Sequence, residues 1–132
     1  MEEYHAQQLL QTLPELERCV ALNQYWDKGY KKWFTGYLEI AEETNYPLAE
    51  CQVGYCYLEG IGTDKDIAKG IEYTRRSAVH GDRDAQYNLA ILIEEGKVIN
   101  QSYDDAIRWH IEAAKQDHSL AISHLQELHI KY

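Results

Sequence analysis

The chain has 132 residues, enough for one domain with a modest core, and its 45% apolar and 27% charged residues are ordinary for a folded protein. With 22 acidic against 13 basic residues, the formal net charge of -9 weighs against nucleic acid or anionic membrane as the main partner, because phosphate binding requires clustered Lys and Arg. Only two prolines and eight glycines occur, which leaves little irregular backbone and favours helix.

The opening stretch has neither a basic start nor a long apolar run, so no signal peptide is expected, and no segment approaches the ~20 apolar residues of a membrane span. Cys19, Cys51 and Cys56 are an odd number without zinc-ligand spacing, and Cys51 and Cys56 lie five apart in an expected helix. A disulfide framework is not expected, and a reducing cytoplasm is the expected setting.

Sliding the sequence against itself reveals a period of 36 residues. Ala49 falls on Ala85 and Ala121, Val53 on Leu89 and Leu125, Gly60 on Gly96, Tyr73 on Trp109, and Ala78 on Ala114. In chain order, residues 2–11 are expected to form a capping helix. Thr12 and Glu15 have capping-box spacing around Pro14, so a helix is expected from about Leu13 to a break at Asp27–Gly29. A second helix follows from about Tyr30 to Glu43, and the turn at Asn45–Pro47 leads into the first clear unit, 47–82.

There Ala49, Val53 and Tyr57 mark one face of a helix that Gly60 stops. Gly70, Tyr73, Ser77 and Ala78 mark the face of its partner, with small residues that allow close approach, and Gly81 ends it. The second unit, 83–118, repeats the scheme with Gly96 as the stop and Ser102, three residues before Asp105, as a cap. This reading makes Trp109 a core residue joining layers and puts His110 at the rim. Residues 119–132 are expected to be a truncated, capping last helix, and 1–46 a degenerate N-terminal portion of one single domain.

The spacing A-x3-[VL]-[GA]-x2-[YI]-x2-G, followed by [GA]-x2-[YW]-x3-[SA]-A, resembles the Sel1-like repeat family, related to tetratricopeptide repeats. Residues 49–117 carry it, with departures at Ala90, Val98, Ser102 and Asp117, where the family has Gly, Gly, Asp and Gly. The resemblance implies an all-α fold, a right-handed α-solenoid of antiparallel helical hairpins that serves as a scaffold for binding proteins.

No residue pattern points to catalysis. GxSxG, HExxH and CxxC are absent, and Gly60-Ile-Gly62 lacks the Lys-Ser/Thr of a phosphate loop. His118, His124 and His129 are spaced by six and five, which does not align them on one helical face, so no metal site and no cofactor are expected.

Over the first helices of the units the acids are Glu50, Glu59, Asp84, Glu94, Glu95 and Glu127, while Lys and Arg concentrate on the second helices. The inner wall is therefore expected to be negative. By resemblance to the tetratricopeptide layout, its partner-binding residues would be Tyr55, Glu59, Tyr87, Ile91, Glu94 and Glu95, aromatic and aliphatic anchors amid carboxylates. A basic protein is the expected partner. Similarity in size and charge to small acidic immunity proteins suggests neutralisation of a basic toxin, such as a nuclease. The alternative is a regulatory adaptor that scaffolds or activates an enzyme complex.

Overall fold

A computed structural model describes residues 15–22, 30–98 and 100–132. The expected capping helix at 2–11, the Thr12 cap and the break at Asp27–Gly29 lie outside these residues. The described chain is helical throughout, with no strand. Its helices are α1 (15–22), α2 (Lys31–Thr44), α3 (Pro47–Glu59), α4 (Ile67–Val79), α5 (Arg83–Glu94), α6 (Tyr103–Lys115) and α7 (Ser119–Glu127). Each helix from α2 onwards packs on the next, which makes an α-solenoid of helical hairpins.

Local chemistry sets these boundaries. Pro47 occupies the first turn of α3, where its missing N–H costs nothing. Gly60 closes that helix in the left-handed conformation, its N–H returning to the Cys56 carbonyl at 2.8 Å. Asp66 and Asp82 cap α4 and α5 through their carboxylates. Ser102 and Asp105 form a complete capping box on α6. His118, one period after Asp82, caps α7 instead: its Nδ1 accepts from Ala121 N at 3.3 Å.

Close approach defines the first hairpin. A β-carbon on Gly54 would stand 2.6 Å from Thr74 Oγ1, and one on Gly70 would stand 2.6 Å from the Leu58 side chain. One period on, the facing residues are Ala90 and Ala106, both fully buried. The core runs on beneath the layers, from Trp33, Tyr37 and Ile40, through Val53 and Cys56, to Leu89, Ile93 and Leu125. Side chains also tie one layer to the next. Ser77 Oγ donates to the Pro47 carbonyl at 2.7 Å, and Gln116 Nε2 donates to the Gly81 carbonyl at 2.8 Å.

Two expected core assignments in α6 are reversed. His110 is completely buried, whereas Trp109 is only half-buried, packed against the cluster that contains Ala78 and Ile93. The neighbours explain the exchange. Tyr73, the counterpart of Trp109, stacks on Tyr57 and donates its hydroxyl hydrogen to Glu42. One period on, Ile93 stands in place of Tyr57 and Ala78 in place of Glu42. Less side chain is available to cover the indole, while the position after it is inward in both repeats, as Thr74 and as His110.

Candidate functional site

The first helices of the two central units, α3 and α5, lie on either side of a cleft of about 420 Å³. Tyr55, Leu58 and Glu59 line it from α3, and Tyr87, Asn88 and Ile91 line it from α5. Glu95 follows at the end of α5, and Thr74 reaches in from α4. Five of the six residues expected from sequence, Tyr55, Glu59, Tyr87, Ile91 and Glu95, thus share one cavity. Glu94 does not line it.

The lining residues differ in what they can offer. Tyr55 is 42% exposed, a large aromatic left partly in solvent at the mouth of a concave surface. Ile91 is half-buried beside it. Tyr87 is less available. It packs against the last layer, with its ring 4.7 Å from that of His118 and 5.4 Å from that of His110. Asn88, exposed on α5 and not picked out from the sequence, brings an amide that can both donate to and accept from a peptide backbone.

The expectation of a negative inner wall is corrected. Lys65 and Lys97, which come from the turns after α3 and α5, line the same cleft, and Lys97 pairs with Glu95 at 3.0 Å. Glu50, counted among the inner acids, is fully buried and meets His80 Nδ1 at 2.5 Å. The cleft is therefore mixed in charge, with carboxylates and ammonium groups around an apolar floor. On α4, Arg76 is already engaged, paired with Glu72 at 2.7 Å and lying 4.7 Å over the ring of Tyr73.

Glu94 has a separate environment. Its Oε1 accepts from His110 Nε2 at 2.8 Å and from His124 Nε2 at 2.9 Å, joining the end of α5 to the interiors of α6 and α7. A carboxylate only accepts, so both imidazoles present N–H through Nε2 to one oxygen. The rings of His110 and His124 lie 4.5 Å apart. Burial lowers the pKa of His110 from its usual value, against the opposing pull of Glu94. No spacing in the sequence marks this cluster, because its members are drawn from three helices.

The 36-residue hairpins match the Sel1 repeat family model at residues 47–82 and 83–118, more than half of the chain, and the protein belongs to the Sel1 repeat family. Its fold is similar to that of a Sel1 repeat protein from Oxalobacter formigenes, with a TM-score of 0.76 and 26% identity over 89% of this chain and 51% of that one. A protective antigen present in uropathogenic Escherichia coli shares the fold at a TM-score of 0.70 and 21% identity, over 81% of this chain and 25% of that one. An F-box protein of Arabidopsis thaliana is 28% identical over 75 residues, which span 57% of this chain and 21% of that protein. The chain thus spans about half of the Oxalobacter protein and about a fifth of the plant protein. Repeats of this family are in general protein-interaction modules. No helix among the described residues is long and apolar enough to cross a membrane.

Proposed function

We propose that this protein binds a basic protein partner by seating one of its segments in the cleft between α3 and α5. The observation that carries this reading is the gathering of Tyr55, Ile91, Glu59 and Glu95 around one cavity. Tyr55 and Ile91 supply apolar anchors that lose water on binding, and the carboxylates form a rim that receives Lys or Arg. The net charge of -9 favours rapid encounter with a positively charged partner, even though Lys65 and Lys97 moderate the cleft itself.

The acidic balance supports a cytoplasmic immunity protein that neutralises a basic toxin, such as a nuclease. A regulatory adaptor would use the same cleft. The test is purification of the tagged wild type and of a Tyr55→Ala/Ile91→Ala variant from native cells, with quantification of what each retains. A protein held by the wild type and lost by the variant supports the reading, and equal retention refutes it. The immunity role further requires that the retained protein be toxic alone and harmless when co-expressed with this chain.

A further inference from the structure

We infer that Glu94, His110 and His124 form a binding site for a zinc-like divalent cation, one that ties together the last three helices. The three ligand atoms, Glu94 Oε1, His110 Nε2 and His124 Nε2, all lie within 4.8 Å of one another. An ion bound tetrahedrally, with bonds of about 2.0–2.2 Å to imidazole nitrogen and carboxylate oxygen, sets its ligand atoms roughly 3.3 Å apart. The two nitrogen–oxygen separations, 2.8 and 2.9 Å, are already shorter than that and need only open slightly. The two imidazole nitrogens must move together by at most about 1.5 Å.

The movement falls where the structure can give. His110 is fixed in the core, but His124 stands on the terminal helix, and its side chain is 29% exposed. Glu94 is the last residue of α5, and its side chain is 19% exposed. Solvent therefore reaches the cluster and supplies a path for the ion, with water as the fourth ligand. Two imidazoles and one carboxylate are the donor set that zinc and its neighbours accept, whereas calcium and magnesium require oxygen ligands. Ligation through Nε2 requires each imidazole to carry its proton on Nδ1, so the Nε2 proton that faces Glu94 gives way to the ion. None of the three residues lines the cleft of α3 and α5, so this site is independent of the partner-binding proposal.

The test is calorimetric titration of the chelator-treated full chain with zinc chloride, followed by cobalt substitution monitored by visible absorption. Expected are one ion per chain and the intense absorption of four-coordinate cobalt. His124→Ala and Glu94→Gln should each weaken binding roughly a hundredfold or more, since even outer partners of ligands are worth 10–100-fold. His129→Ala, which removes an exposed imidazole outside the cluster, should leave it intact. Circular dichroism confirms that His124→Ala stays folded. A wild type that shows no saturable zinc binding overturns the proposal, as does zinc binding that survives His124→Ala undiminished.

Discussion

A β-carbon built on Gly62 would lie 2.2 Å from the carbonyl oxygen of Tyr30, so the turn after α3 rests directly on the start of α2. Gly62 also takes a φ of 71°, the left-handed region that favours glycine. Gly62→Ala therefore combines backbone strain with a steric clash that no flexible side chain can relieve, and is expected to cost about 2–4 kcal/mol. Gly81 has a φ of 100° but nothing within 4 Å of an added methyl, so Gly81→Ala should cost only about 1–2 kcal/mol. Urea denaturation of the two variants measures the difference.

Trp109→Ala is expected to destabilise by about 1–2 kcal/mol, because only part of the indole is removed from water. Leu89→Ala should cost about 3 kcal/mol or more, as Leu89 is fully enclosed. The ranking, read from unfolding midpoints, would be inverted if the indole were the core of α6.

The exchange of Trp109 and His110 depends on neighbours that the repeat period does not specify. The 36-residue offset made the fold legible, because Ala49, Ala85 and Ala121 must occupy equivalent sites in each layer. It also placed Trp109 beneath Tyr73, but equivalence of position says nothing about the volume of the neighbours, and Ala78 cannot cover what Glu42 covers. Five cleft residues were legible because the resemblance to tetratricopeptide repeats implies which face of each first helix turns inward. Lys65 and Lys97 were not, since they come from turns whose course the periodicity does not specify. The Glu94 cluster joins residues 16 and 14 positions apart, spacings that match no face of a single helix.

The three thiols should be inert in the folded protein. Burial pushes the pKa of Cys19 up to about 11 and that of Cys56 up to about 12. Cys51 is raised by burial and then by the nearby carboxylates of Asp82 and Asp84. The thiolate is the nucleophile, so its scarcity at neutral pH blocks alkylation. Mass spectrometry after iodoacetamide treatment should find no rapid labelling in the native protein and three labelled cysteines in urea.

Two helix-capping carboxylates should titrate on opposite sides of the usual Asp value. Burial raises the pKa of Asp82, while hydrogen bonds from Ser102, backbone first, lower that of Asp105. For Asp105 the unfolded state binds the proton more readily, so its contribution is present above pH ~3.9 and is lost as pH falls through its lowered folded pKa. For Asp82 the sign reverses: the folded state holds the proton more tightly, so its contribution weakens as pH rises from ~3.9 through its raised pKa. Carboxyl carbon NMR titration checks both midpoints. An Asp82 midpoint below that of Asp105 would contradict the assignment.

Kinetic binding of the co-purified partner to defined variants is the sharpest test of a partner seated in the cleft of α3 and α5. Glu59→Lys/Glu95→Lys should slow association, and the effect should shrink as added salt screens charges beyond ~10 Å at 0.1 M. Tyr55→Ala and Ile91→Ala should chiefly speed dissociation, each weakening the complex by about 1–2 kcal/mol or more. Arg75→Glu/Arg108→Glu, on the second helices, should leave both rates nearly unchanged. Loss of binding in that outer pair, with the cleft variants unaffected, would place the partner elsewhere on the solenoid and rule out the cleft as its seat.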